Sequence, residues 1–276
     1  MKKIFSLAAA AILGSALLLA GCGSDNNTSA GTSGKTVITV GASPVPHGEI
    51  LEQAKPLLEK EGIELKVVEF TDYVKPNMAL NDKELDANFF QHVPYLEKFI
   101  SEHKMDLVSA GKVHVEPMGV YSKTITDKDL NAALPNGSKV AIPNDPSNGG
   151  RALILLQKAG LITLKDPNNI YATKADIASN PKNLEFVELE AAQLPRSLDD
   201  VAIAVINTNY ALEAGLDPLK GALYLEDKDS PYANIVAVRK GDENRPEIQK
   251  LMKALQSPEV KKFIEDKYKG AILPAF

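Results

Sequence analysis

The sequence has 276 residues, 31 Lys and Arg against 36 Asp and Glu, a formal net charge of -5 and a single cysteine. A mildly acidic chain without a cluster of Lys and Arg excludes a nucleic-acid partner, whose phosphates demand a basic patch. One cysteine excludes an internal disulfide framework.

The chain opens with Met1-Lys2-Lys3, runs through apolar residues from Ile4 to Ala20 and reaches small residues at Gly21 and Cys22. Charge, then grease, then small residues is the order of a secretory signal. A membrane-spanning helix needs about 20 apolar residues; this stretch is slightly short and polar sequence follows at once, so a cleaved signal over residues 1–21 is expected. Leu19-Ala20-Gly21-Cys22 resembles the lipobox of bacterial lipoproteins, which implies cleavage before Cys22 and lipidation of its thiol. The alternative is an ordinary signal with an incidental cysteine. More than one acyl chain, as that resemblance implies, would anchor stably where one is marginal. Cleavage would remove two lysines and no acid, taking the net charge from -5 to -7. Gly23 to Lys35 holds no large apolar residue and has the composition of a flexible tether, so folded structure is expected from Thr36.

Val37 to Val40 reads as a short buried strand, Gly48 to Lys60 as an amphipathic helix closed by Gly62, and Ile63 to Phe70 as a strand. A helix over Val74 to Asn81 follows, then a strand over Asp86 to Phe90, a helix over Pro94 to His103, Leu107, and the run Lys112 to Tyr121. A second series begins with a strand at Lys139 to Ile142 and a helix over Asn148 to Ala159, closed by Gly160. Strands at Leu184 to Leu189 and Val201 to Ile206 follow, then a helix over Asn209 to Ala214 closed by Gly215. The tail offers a strand at Asn234 to Val238 and helices over Pro246 to Gln256 and Pro258 to Lys267. Strands alternating with helices predict an α/β fold with largely parallel sheets. Two such series and a returning tail suggest two lobes, 36–122 with 228–276 and 123–227, joined by crossovers near Tyr121 to Lys123 and Glu226 to Ser230. Ligands in α/β folds bind beyond the carboxyl ends of strands, and pockets favour domain interfaces.

Several chemistries find no footing. Ser33-Gly34-Lys35-Thr36 matches the end of a phosphate-binding loop, but Ser29 stands where its first glycine belongs and the segment precedes a strand. No nucleophile elbow, zinc-protease helix or acidic calcium loop appears, so no catalytic or metal-ligating residue is assigned. His47, His92, His103 and His114 lack the i, i+4 spacing of a zinc site and would ligate only if distant residues met in the fold.

Strand-to-helix junctions hold the candidate binding residues. The segment Pro143 to Arg151 places helix N–H groups, a helix dipole and a guanidinium together, which suits a carboxylate; the alternative for Arg151 is a solvated surface position, although it shares a face with Leu155. The segment Asp86 to Tyr95 is rich in aromatics and neutral hydrogen-bonding groups. Phe90 and Tyr95, with Tyr73, form either an aromatic sleeve for a ligand, favourable to a thioether, or part of the core, the role expected of Phe89. His92 alone reads as a structural histidine. Asn207 ends an apolar strand and either faces a cleft or caps the next helix. Asn234 reads as loop.

The strings Asp72 to Asn77, Asp86 to His92, Pro143 to Asn148, Gln193 to Asp200 and Ser230 to Asn234 resemble, in order and over essentially the whole mature chain, the methionine-binding lipoproteins of ABC importers, the NlpA lipoprotein family. The resemblance implies a two-lobed, periplasmic-binding-protein-like (type II) fold that captures methionine, in its L and possible D form, and delivers it to a permease and ATPase complex. It implies no cofactor and no enzymatic activity, a monomer, and an anchor in the cell membrane through lipidated Cys22, facing the periplasm or cell exterior. It implies that Arg151 holds the ligand carboxylate, that Asn148, Asn207 and Asn234 surround its polar end, and that Tyr73, Phe90, His92 and Tyr95 line the side-chain pocket. Other occupants of the same scaffold are a methionine dipeptide such as glycylmethionine, a zinc ion or an enzyme substrate; a purely structural or adhesive lipoprotein would bind no small molecule.

Overall fold

The computed structural model describes residues 35–227 and 230–276, so the expected signal, Cys22 and the tether up to Gly34 lie outside the described residues. In chain order the first lobe begins with β1 (Thr36–Ala42), α1 (Glu49–Lys60), β2 (Ile63–Glu69), α2 (Lys75–Asn81), β3 (Ala87–His92), α3 (Val93–His103) and β4 (Leu107–Val115). The second sheet is built from β5 (Gly119–Tyr121), α4 (Leu130–Ala133), β6 (Lys139–Pro143) and α5 (Pro146–Lys158), then a small antiparallel pair β7 (Thr163–Leu164) and β8 (Ile177–Ser179). It continues with β9 (Glu185–Leu189), α6 (Leu194–Ser197), β10 (Ile203–Ile206), α7 (Thr208–Glu213) and β11 (Tyr224–Leu225). The tail returns to the first sheet as β12 (Ala233–Arg239), α8 (Pro246–Leu255), α9 (Pro258–Tyr268) and β13 (Leu273–Pro274). No helix among the described residues is long and apolar enough to cross a membrane.

The strand orders are β13-β4-β12-β3-β1-β2 and β11-β5-β10-β6-β9. Both sheets are mixed, which corrects the expectation of largely parallel pairing. β1 is parallel to β2 and β3, and β6 is parallel to β9 and β10. β12, however, lies antiparallel between β3 and β4, and β5 lies antiparallel to β10. The chain enters β5 and β12 straight from the other sheet, without the crossover helix that parallel pairing requires, and the two-residue strands β11 and β13 add further antiparallel pairs at β5 and β4. β5 pairs Val120 with Val205, so the chain passes between sheets at 116–118, earlier in sequence than Tyr121 to Lys123, and returns between Leu225 and Ala233.

Each sheet has its own core. Ile38, Val40, Leu51, Leu58, Val236 and Ile264 pack in the first, and Val120, Val140, Ile142, Leu155, Leu156 and Val205 in the second; full burial of such side chains is worth roughly 1.5–3 kcal/mol each. Local chemistry sets the helix starts that face the cleft. Pro94 and Pro146 occupy first-turn positions, where the missing N–H is harmless. The Asp145 carboxylate accepts the Asn148 N–H at 2.8 Å and caps α5. Gly150 is needed for close approach: a Cβ there would stand 2.3 Å from the Ile170 carbonyl oxygen. Segment 170–172 therefore packs against the helix backbone one residue before Arg151.

Candidate functional site

The carboxyl ends of β1, β3, β6 and β10 and the first turns of α3, α5 and α7 meet between the two sheets. Tyr73, Phe90, Gln91, His92, Tyr95, Asn148 and Asn207 enclose a cavity of about 20 Å³, room for about one water molecule. It adjoins a cleft of about 440 Å³ bounded by Asp72, Tyr73, Tyr95, Asp145, Glu190 and Tyr210. Six of the eight sequence candidates for ligand contact thus line one cavity; Arg151 and Asn234 are not among its lining residues.

The aromatic side is a cluster in mutual contact. The Tyr73 ring lies 5.8 Å from Phe90, 5.9 Å from Tyr95 and 4.9 Å from Tyr210 between centroids, and the Tyr95 hydroxyl donates to the Tyr73 carbonyl at 2.8 Å. Tyr73 also donates to Asn209 Oδ1 at 2.5 Å across the interface. Burial holds the Tyr73 phenol well above its ordinary pKa, so it donates throughout the physiological range.

The polar side is a chain of amides and imidazoles with assignable protons. His92 Nδ1 accepts the Tyr95 N–H at 3.2 Å, capping α3, so Nε2 carries the proton and donates to Asn148 Oδ1 at 3.1 Å. Asn207 Nδ2 donates to the same oxygen at 2.9 Å. Asn207 stands at the N-cap position of α7, but its side chain makes no capping bond; it turns to the cleft, and its buried Oδ1 has no partner among the described residues. Burial, reinforced by Arg151, lowers the His92 pKa to about 3, and the ring is neutral at pH 7.

Arg151 is buried, with 3% of its side chain exposed. Its Nε donates to Glu226 Oε1 at 3.0 Å, Nη2 donates to Glu226 Oε2 and, at 2.8 Å, to the Glu116 carbonyl. The guanidinium stacks 4.3 Å from the Tyr232 ring centroid. Nη1 takes no partner among the described residues. Burial works against its charge, but the Glu226 carboxylate more than offsets it, and the pKa is raised. One residue of α5 therefore holds both passages between the sheets.

Asn234, in β12, is not in a loop. Its Oδ1 accepts from His47 Nε2 at 2.9 Å, and His47 and His114 both point Nε2 at Glu116 Oε1, at 3.2 and 2.6 Å. Burial lowers the pKa of His47 to about 4 and of His114 to about 3, so both donate as neutral rings. Burial raises the Glu116 pKa, opposed by His47 and Arg151. The donor atoms of His47, His114 and Glu116 lie within 4.8 Å of one another, so two of the scattered histidines do meet. Both Nδ1 atoms lack a partner among the described residues, whereas a zinc-ligating histidine almost always donates its far N–H to an acceptor. The cluster fits a hydrogen-bonded core better than a metal centre.

A family model for the NlpA lipoprotein matches residues 38–276. The chain belongs to the NlpA lipoprotein family. The Bacillus subtilis methionine-binding lipoprotein MetQ is 46% identical over 282 residues, spanning 99% of this chain and 99% of that protein. The Salmonella typhi D-methionine-binding lipoprotein MetQ is 46% identical over 261 residues, 94% of this chain and 93% of that one. A nutrient binding protein from Burkholderia cenocepacia bound to methionine shares the fold with a TM-score of 0.83 at 51% identity, over 87% of this chain and 100% of that one. This NlpA lipoprotein accordingly has the two-lobed, periplasmic-binding-protein-like architecture of substrate-binding lipoproteins.

Reading along the chain missed Glu226, Glu116, Tyr210, Asn209 and Tyr232. Glu226 lies 75 residues from its arginine in a segment expected only as a crossover, and nothing local marks it. The one available signal was arithmetic: an arginine expected inside the protein requires a buried carboxylate somewhere.

Proposed function

We propose that this NlpA lipoprotein captures methionine outside the cytoplasmic membrane, anchored through lipidated Cys22, and delivers it to an ABC importer without chemical turnover. The observation that carries the reading is the cavity between the sheets, aromatic on one side and amide-lined on the other, in a chain similar over nearly its whole length to methionine-binding lipoproteins. Tyr73, Phe90 and Tyr95 offer ring faces and edges to the thioether, each good contact worth roughly 0.3–1.5 kcal/mol. Arg151 Nη1 receives the carboxylate, the unpartnered Asn207 Oδ1 accepts from the ammonium, and Asn148 and Asn234 complete the polar end, with His92 closing the side-chain pocket.

A cavity of about 20 Å³ holds far less than an amino acid, so binding requires the lobes, 36–118 with 230–276 and 119–227, to part and close again. The ligand shifts that population through contacts that exist only when both lobes touch it. Calorimetric titration of unfolded and refolded protein against L-methionine, D-methionine, glycylmethionine and zinc tests the reading. Saturable one-to-one binding of a methionine compound is expected; silence with all three, or a zinc signal alone, would overturn it.

A further inference from the structure

Arg151 arrives at the proposed site with its charge already matched. Glu226 engages Nε and Nη2 together, and the Glu116 carbonyl takes a further hydrogen bond from Nη2. The Glu226 side chain is itself 10% exposed, so water does little to screen it. A carboxylate brought to Nη1 therefore shares one guanidinium with a second carboxylate held a few ångströms away. Among the described residues the neighbouring ionisable groups supply no compensating positive charge: burial keeps His92, His47 and His114 neutral, and Glu116, whose side chain faces two of those histidines, also acts on Arg151 only as a carboxylate. Arginine, Glu226 and a ligand carboxylate together carry one excess negative charge, to be balanced by a cation on the ligand. A receiver for that cation is present beside the first turn of the same helix: Asn207, whose Nδ2 bonds to Asn148 at 2.9 Å, leaves its Oδ1 buried and without a partner among the described residues.

We propose that Glu226 is a specificity-determining residue that makes the cleft select a zwitterion and reject the anion sharing methionine's carboxylate and side chain but lacking its ammonium group. The proposal rests on the reading that the cleft takes methionine with its carboxylate toward Arg151. An arginine without Glu226 would attract any carboxylate of suitable shape; with it, the buried pair is neutral and the ammonium becomes obligatory. Desolvated like charges on one guanidinium repel strongly enough to matter, because the effective dielectric inside a protein is far below that of water.

The test is competition binding on the full chain in detergent with L-methionine, its α-keto acid 4-methylthio-2-oxobutanoate, and L-methioninol, which keeps the amine and lacks the carboxylate. On the unmodified protein the keto acid should bind at least a hundredfold more weakly than L-methionine and more weakly than L-methioninol. Glu226→Gln should narrow the keto-acid-to-methionine ratio at least tenfold, while Glu226→Asp, which keeps the charge but shortens the reach, should leave that ratio near the unmodified value. A residue needed only to hold the fold would not separate Gln from Asp in this way. An unchanged ratio in Glu226→Gln overturns the proposal. If that variant does not fold, the unmodified protein decides, since tighter binding of the keto acid than of L-methioninol overturns it as well. Failure of L-methionine itself to bind the unmodified protein would instead sink the underlying reading.

Discussion

Replacing Arg151 by methionine removes the guanidinium while keeping a similar unbranched stem. Glu226 is then left with 10% of its side chain exposed and without the guanidinium, keeping only the Met118 N–H on Oε2 at 3.2 Å. Breaking a buried ion pair from one side is strongly destabilising, about 3–5 kcal/mol, because the surviving charge is uncompensated. The stacking on Tyr232 at 4.3 Å goes with it, adding about 0.5–2 kcal/mol. For a unit of this size each kcal/mol lowers the melting temperature by roughly 2–4 °C, so the pair alone predicts a fall of roughly 6–20 °C. Thermal melts followed by circular dichroism at pH 7, without methionine, read this directly. The double variant Arg151→Met with Glu226→Gln should recover most of the loss, since replacing a whole buried pair by neutral groups is often close to neutral. A single variant melting within 2 °C of the parent, or a double variant no better than the single, would refute the account of Arg151 and Glu226 as one buried unit.

Phe90→Leu keeps an apolar side chain but loses the ring; methionine binding should weaken about two- to tenfold, while norleucine, which has no sulfur, should be nearly unaffected in the same calorimetric titration. Asn148→Ala strips the acceptor from both Asn207 Nδ2 and His92 Nε2, leaving two buried donors at about 1–3 kcal/mol each; affinity should fall at least tenfold and stability by a few kcal/mol in urea melts. His92 has a folded pKa near 3 against 6.5 for the free side chain. The unfolded chain therefore binds more protons between those values, and stability falls as pH drops through that window. His92→Gln should make this decline shallower by about 1.4 kcal/mol per pH unit, and parallel slopes for variant and parent in urea melts below pH 6.5 would contradict the burial of a neutral ring.

Much of the element pattern was legible because apolar periodicity and punctuation agreed. The helix at Glu49–Lys60 is closed at Gly62, with a φ of +76°, and the strand at Ile63–Glu69 alternates buried and exposed residues over its first half. Pairing direction was not legible, since whether β12 inserts antiparallel between β3 and β4 depends on where the chain comes from, not on its residues. The short strands β7, β8, β11 and β13 carry too few residues to show a period. Candidate site residues were found where they flank strand ends, as with Asn148 and Asn207. Asn234 opened the expected strand Asn234 to Val238, which the structure places in Ala233–Arg239, but read by itself as loop; its contact with His47, 187 residues away, left no local mark. Phe89 was legible as core, and the structure buries it completely, with its ring edge-on to His47 and His114.

The contacts that join the lobes explain how a ligand could govern closure. Tyr73 donates to Asn209, Tyr210 to the Thr71 carbonyl at 3.1 Å, His92 to Asn148, and Tyr171 to the Pro94 carbonyl at 3.3 Å. Each is a hydrogen bond that opening exchanges for one to water, worth only about 0.5–1.5 kcal/mol net. In the proposed mode a few such bonds, with the aromatic contact of Tyr73 and Tyr210, are what opening would have to exchange at the mouth. Arg151, by contrast, grips the Glu116 carbonyl, Glu226 and Tyr232, so in the proposed mode the segments joining the sheets would stay tied while the aromatic mouth parted. In the proposed mode a methionine held at its carboxylate by Arg151 and at its side chain by Tyr73, Phe90 and Tyr95 adds contacts to both lobes at once. That differential affinity, and not the intrinsic lobe contacts, is what would drive the closed population.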